Sequence, residues 1–156
     1  MRVSSLVSGA NVFINSRSLI PLIILIPSQF YVIITSKVNK MRYDELSIQS
    51  MNFAVQIINL VKDLKSKHET VISNQIGRSG TSIGANIREA QYAHGKPDFI
   101  AKLQIALKEA NETGYWLELL YKTDYIDEQT YKSLEASCTS IRVMLISSVN
   151  TSKQSN

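Results

Sequence analysis

Cysteine and histidine are scarce in this sequence. Its 156 residues contain one cysteine, Cys138, and two histidines. A single cysteine excludes an internal disulfide framework, so a reduced, cytoplasmic setting is the simplest expectation. Neither His68 nor His94 has a glutamate three residues before it, as a di-iron site in a helical bundle would require. Two histidines and one cysteine also fall short of a typical zinc site. We therefore expect no metal and no cofactor.

The sequence also lacks the motifs of nucleotide-dependent enzymes. It has neither a Walker loop nor a dinucleotide fingerprint, and its Gly77-x-x-Gly80 spacing falls within a predicted helix rather than after a strand. Cys138 lies on an apolar stripe, where a buried and unreactive thiol is expected. These absences predict that the protein is not an enzyme.

Acidic residues are missing from the first forty positions, which hold Arg2, Arg17, Lys37 and Lys40. The other 13 basic residues balance the 13 acidic residues of the whole chain, which all follow residue 40. The net charge of +4 therefore belongs to the first forty residues. The remainder is neutral and gives no support to a phosphate-binding surface.

Residues 1–40 form an atypical hydrophobic extension. An uncharged stretch lies between Arg17 and Lys37, and its length is just sufficient to cross a bilayer. Pro21 and Pro27 interrupt it. The favoured interpretation is that translation starts at Met41; the alternative is a membrane anchor through residues 18–36, or a signal sequence. The predicted organisation is a leader over 1–40, a helical bundle over 41–149 and a disordered tail over 150–156.

Apolar residues recur at three- and four-residue steps over four segments, which predicts four helices. The segments cover about 45–66, 69–93, 97–122 and 128–149, with Asp44 and Asp127 as N-caps of the first and fourth. Short connections favour an all-α, antiparallel up-down-up-down four-helix bundle. The predicted buried stripes comprise Met51, Phe53, Ala54, Ile57, Ile58, Val61 and Leu64; Ile72, Ile76, Ser79, Ile83, Ile87 and Ala90; Phe99, Leu103, Ala106, Leu107, Ala110, Gly114, Leu117 and Tyr121; and Tyr131, Leu134, Cys138, Ile141, Leu145 and Val149.

Three glycines share one face of the second predicted helix. At 100° per residue, Gly77, Gly80 and Gly84 fall within about 60° of one another. Each interior glycine costs about 1 kcal/mol relative to alanine. We expect this face to let another helix backbone approach closely.

A polar stripe runs beside the apolar stripe of the same helix and contains Arg78, Ser82, Asn86 and Glu89. The third helix offers Glu109, Glu112 and Trp116 on a comparable flank. One interpretation pairs Arg78 with one of these acids across the helix interface, with Asn86 as a hydrogen-bonding neighbour. The other is an ordinary solvated boundary face, and the spacing does not decide between them.

Two runs resemble a known family. Residues 76–90, IGRSGTSIGANIREA, and residues 98–117, DFIAKLQIALKEANETGYWL, resemble the motifs of the bacterial 23S rRNA intervening-sequence proteins, which are four-helix bundles. The resemblance implies a protomer that forms a homopentameric ring or barrel. It also implies a structural or subunit-interface role for the family's polar signature, matched here by Arg78, Ser82, Asn86, Glu89, Glu109 and Glu112. Relatives include the accessory protein of diversity-generating retroelements, which resembles a basic pentamer that binds nucleic acid and a reverse transcriptase.

Two functional hypotheses follow. The first is a non-enzymatic, homo-oligomeric scaffold whose principal partner is itself, as a pentamer. The second is an accessory protein that binds RNA or DNA, or a nucleic-acid enzyme, through local basic patches formed by Arg42, Lys62, Lys65, Lys67 and Arg88. A membrane partner is expected only if the leader is genuine.

Overall fold

The computed structural model describes residues 28–154, and within them it contains four helices and no strand. They are α1 (Ser28–Ser66), α2 (Val71–Ala90), α3 (Lys96–Lys122) and α4 (Glu128–Gln154). The all-α class predicted from the sequence is therefore confirmed. The chain divides into two compact units, 1–38 and 39–156. In the first unit the structure describes residues 28–38, which are helical, and the packing below is that of the second unit.

Helix α1 begins at Ser28, well before the predicted start near residue 45. Asp44 therefore lies inside a helix and is not its N-cap. No proline or glycine occurs between Pro27 and Gly77, so no helix-breaking residue ends the helix near residue 41.

Within residues 28–154 no helix is both long enough and apolar enough to cross a membrane. The anchor considered for residues 18–36 lies partly outside this range. The remaining predictions for residues 1–27 lie entirely outside it.

Helix α4 continues to Gln154. The prediction of a disordered tail from residue 150 consequently does not hold for residues 150–154. Val149 is buried, and Thr151 and Ser152 are half-buried, so the last turn of α4 still packs against the end of the bundle.

The ends of three helices show how the turns are made. Asp127 is the N-cap of α4, as predicted, because its Oδ1 accepts a hydrogen bond from the backbone N–H of Thr130 at 2.7 Å. At the start of α2, the Glu69 carboxylate accepts hydrogen bonds from the first-turn N–H groups of Ile72 and Ser73. Helix α1 is followed by His68 in the left-handed conformation, with φ of 61°, which reverses the chain.

The core positions of α1 and α3 alternate between steps of three and four residues, and those of α2 and α4 follow nearly the same spacing, which is typical of a narrow helix–helix seam. The α4 stripe from Leu134 to Val149 is buried as predicted, whereas Tyr131 is only half-buried. The buried positions are Leu46, Ser50, Phe53, Ile57, Leu60 and Leu64 in α1; Ser73, Ile76, Ser79, Gly80, Ile83, Ile87 and Ala90 in α2; Leu103, Ala106, Ala110, Thr113, Leu117 and Leu120 in α3; and Leu134, Cys138, Ile141, Leu145 and Val149 in α4.

The stripe predicted for α1 was wrong at several positions. Met51 and Ile58 are 45% and 41% exposed, whereas Leu46 and Leu60 are buried. The cause is that α1 carries apolar residues on two opposite faces, so a helical period alone cannot select the face that packs inward.

Contacts between neighbouring helices follow a consistent order. In each helix pair the residue numbers rise along one helix and fall along the other. The pairs are Ser50–Gly84 and Val61–Gly77 between α1 and α2; Arg78–Glu112 and Glu89–Lys102 between α2 and α3; Ala110–Cys138 and Gly114–Glu135 between α3 and α4; and Arg42–Ser147 and Gln49–Ser140 between α1 and α4.

The glycine face of α2 lies against α1. A Cβ atom on Gly80 would lie 2.9 Å from both Cγ1 and Cγ2 of Ile57, which is too close for a real contact. A Cβ on Gly77 would lie 3.2 Å from Cγ2 of Val61, whereas one on Gly84 would meet Oγ of Ser50 at an ordinary 3.5 Å. Gly80 is therefore the position where the close approach of the two helices requires glycine.

We predict different effects for alanine at two of these glycines. Gly80→Ala should lower the free energy of unfolding by about 1–3 kcal/mol, because the methyl group overpacks against the fully buried Ile57. Gly84→Ala is the matched control and should be neutral or raise it by up to about 1 kcal/mol, because the helix propensity improves without a clash. Urea unfolding followed by circular dichroism, at equal protein concentrations, measures both. Equal effects of the two substitutions would contradict the assigned close approach.

Candidate functional site

The polar stripe of α2 meets α3 along one side of the bundle. Nη2 of Arg78 lies 2.6 Å from Oε1 of Glu112, and the indole N–H of Trp116 donates to the same carboxylate oxygen at 3.4 Å. The structure thus places Arg78 against an acid of the third helix, as one of the two interpretations expected.

This ion pair lies at the surface. The Arg78 side chain is 59% exposed and that of Glu112 is 26% exposed. Exposed ion pairs contribute roughly 0–1 kcal/mol because water and salt screen them. The Arg78–Glu112 pair therefore contributes little to stability, and its guanidinium group remains accessible to a partner.

Asn86 does not extend this pair. Its Nδ2 donates to the backbone carbonyl of Ser82, one turn earlier in the same helix, at 2.9 Å. The expectation that Asn86 neighbours the Arg78 pair is therefore incorrect.

Further along, Glu89 pairs with Lys102 of α3 at 2.6 Å. The hydrogen bond to Glu89, followed by its charge, raises the pKa of Lys102 above its usual value.

Beneath the surface pairs lies a buried hydroxyl contact. Oγ1 of Thr113 and Oγ of Ser79 are hydrogen-bonded at 2.9 Å, and both residues are fully buried. Glu109, one turn before Thr113, has a buried Oε2 that has no hydrogen-bond partner among the described residues. This seam is thus polar in its interior as well as at its surface.

Sequence reasoning missed a second arginine–glutamate ion pair, between Glu135 and Arg142 of α4. Both side chains are about one-quarter exposed, and the pair covers Gly114 of α3, whose missing side chain leaves room for it. The seven-residue spacing places both residues on the same side of α4 and could have suggested the pair.

The five basic residues considered for nucleic acid do not form one surface. Arg42 and Arg88 lie at one end of the α1–α2 pair, since Tyr43 donates a hydrogen bond to the carbonyl of Ile87. The other three follow at least 20 residues after Arg42, near or just beyond the far end of α1 and about 30 Å away along the helix. They are Lys62, Lys65 and Lys67, and Lys67 is also paired with Asp63 at 2.8 Å. Nucleic-acid binding therefore stays a prediction.

Metal binding and nucleophilic chemistry would both depend on the titratable side chains. No group of three His, Cys, Asp or Glu side chains that could hold a metal ion occurs among the described residues. Cys138 is buried and contacts the carbonyl of Ala110 at 3.2 Å. Burial raises the pKa of its thiol to about 11, so it is not a nucleophile near neutral pH. The absence of enzymatic activity stays a prediction.

The side of α1 that faces away from the core exposes a row of apolar side chains. We call it the outer face of α1. At 100° per residue its side chains lie within about 100° of one another, opposite the buried stripe. Their exposed fractions are 64% for Met41, 57% for Ile48, 45% for Met51, 54% for Val55 and 41% for Ile58.

These features define a class: a helical bundle protein with a tightly packed α1–α2 seam, a polar α2–α3 seam and an exposed apolar face. The family model described as "23S rRNA-intervening sequence protein" matches residues 45–147. The chain belongs to this family. The match covers α1 from residue 45 and all of α2 and α3, together with most of α4.

A solved structure shows the same fold. A crystal structure of a protein with unknown function from the S23 ribosomal protein family, from Bacteroides thetaiotaomicron VPI-5482, matches with a TM-score of 0.69 and 53% sequence identity. The match covers 70% of this chain and 98% of that chain. A search of curated proteins gives no significant match.

The two arginine–glutamate pairs should respond differently to the same substitution. Arg78→Met should change the free energy of unfolding by less than about 1 kcal/mol, because the pair is exposed. Arg142→Met should lower it by about 1–3 kcal/mol, because it leaves the mostly buried Glu135 carboxylate without its partner. Chemical denaturation of both variants measures the difference. A larger loss for Arg78→Met than for Arg142→Met would contradict this assignment.

Proposed function

We propose that the protein is a non-enzymatic scaffold that assembles with itself, as a pentamer. Its protomer is an antiparallel up-down-up-down four-helix bundle, an arrangement supported by the opposed residue order in all four helix pairs. The outer face of α1 is the observation that carries the proposal.

A soluble monomer rarely exposes a large contiguous apolar patch. The outer face of α1 runs from Met41 to Ile58, which at 1.5 Å per residue is about 26 Å of helix. A helix that is apolar on two opposite faces is typical of one that packs on both sides. One side of α1 is already occupied by the core of its own bundle, so the other is available to a partner.

A closed ring requires two different surfaces on each copy, because the contact is head-to-tail. The exposed side of α4 offers a second apolar surface, where Val143 is 61% and Ile146 is 47% exposed. The surface ion pair of Arg78 and Glu112 adds charged groups that can fix the orientation of a neighbouring copy. The pentameric number itself is what membership of the family suggests.

We predict that Val55→Glu weakens assembly. A charged side chain on the outer face of α1 would be desolvated in the subunit contact. Val55 is outside the core, and glutamate is a better helix former than valine, so the protomer should keep its fold. Size-exclusion chromatography with multi-angle light scattering should give a pentamer for the parent protein and smaller species for the variant.

Val71→Glu is the matched control, because Val71 is 74% exposed and begins α2, away from the outer face of α1. It should leave the assembly unchanged. A parent protein that is monomeric at micromolar concentration would refute the proposal, as would equal effects of the two valine substitutions.

A further inference from the structure

An open cleft of about 670 Å³ lies at one end of the bundle, within the unit 39–156. All four helices contribute to its walls: α1 near Lys40, the end of α2 near Gln91, the start of α3 near Lys96, and the last turns of α4 near Ser152. The volume is within the range of small-molecule sites, which is roughly 300–1,000 Å³.

Positive charge is concentrated at this cleft. Lys40, Arg42 and Lys96 line it, and Asp44 is the one acid among the described residues that do so. Three cations against one acid give the described lining a formal charge of +2. Such a concave, basic surface attracts anions more strongly than isolated surface cations do.

The last turns of α4 add hydroxyl groups to the same cleft, from Ser148, Thr151 and Ser152. Hydroxyl groups and cationic side chains together are the donors that phosphate oxygens accept in proteins. The helical end of α4, which the sequence did not predict, therefore supplies one wall of the cleft.

Two aromatic rings complete the cleft. Tyr43 and Phe99 both line it, and their ring centroids are 6.1 Å apart. The Tyr43 hydroxyl donates to the carbonyl of Ile87, so the residue offers the cleft its ring. Burial raises the pKa of Tyr43 to about 12, and the side chain therefore adds no negative charge near neutral pH.

We propose that this cleft binds a nucleoside phosphate. The phosphate contacts Arg42, Lys96 and the hydroxyl group of Ser152, while the base packs against the aromatic pair. The ligand is either a free nucleotide or the 5′-phosphorylated end of a nucleic-acid strand, which share this chemistry. All lining residues belong to one copy of the chain, so binding does not require the proposed assembly.

Isothermal titration calorimetry of the full chain with AMP, inorganic phosphate and adenosine tests the proposal. AMP should bind more tightly than either fragment, and its affinity should fall as salt is added. A 5′-phosphorylated single-stranded oligonucleotide, compared with its unphosphorylated form, distinguishes the two sources. Tighter binding of the phosphorylated strand than of AMP would assign the cleft to strand ends, whereas weaker binding would assign it to free nucleotides.

Charge variants locate the ligand. Arg42→Glu should weaken AMP binding at least about tenfold, because two units of charge change beside the phosphate. Arg88→Glu is the matched control: it makes the same change at an exposed residue of the same bundle end that does not line the cleft. It should change the affinity much less. Asp44→Asn removes the acid that opposes the phosphate and should tighten binding about threefold.

Three results would overturn the proposal: no binding of AMP at millimolar concentration, equal affinities for AMP and inorganic phosphate, or equal losses for Arg42→Glu and Arg88→Glu. Circular dichroism of each variant establishes that a loss of affinity does not reflect a loss of fold.

Discussion

The contact between Gly80 and Ile57 sets the position of α1 in the bundle. Because Gly80 has no side chain, the Ile57 side chain can pack directly against the backbone of α2. With Ile57 directed inward, the rest of its stripe, from Leu46 to Leu64, also faces the core. The opposite side of α1 is then held outward. The exposed apolar face from which self-assembly is proposed is therefore a geometrical consequence of a glycine in the neighbouring helix.

Most of the fold could be predicted from the sequence, because in three helices the most regular apolar stripe is the one that faces the core. The stripe of α4 is an example: five of its six predicted residues are buried. The same reasoning failed for α1, where Ile57 and Ile58 are adjacent and only one of them can face the core. The spacing of apolar residues identifies a helix that is apolar on two sides, but it does not show which side packs against the core of the protomer. The surface of α2 determines which side of α1 faces the core, and the α2 residues concerned are distant in sequence from those of α1.

For the polar residues, too, one part of the arrangement could be predicted from the sequence and another part could not. The helical spacing suggested that Arg78 could pair with an acid on the flank of α3 that contains Glu112. It could not show that this ion pair is exposed to solvent. Exposure depends on how far each side chain extends beyond the packed seam. The Asn86 side chain donates a hydrogen bond to a backbone carbonyl of its own helix, as asparagine often does. The cleft was beyond sequence reasoning, because Arg42, Lys96 and Ser148 come from separate helices whose ends meet only in the folded bundle.

In the proposed assembly, α1 packs on two sides, against its own core and against another copy of the chain. Oxidative footprinting of the methionines tests it directly, since methionine oxidation follows solvent exposure. Met41 and Met51, both on the outer face of α1, should oxidise slowly at concentrations where the protein is assembled and faster after dilution to protomers. Rapid oxidation of both residues at every concentration would show that the outer face of α1 stays in water and would contradict the account.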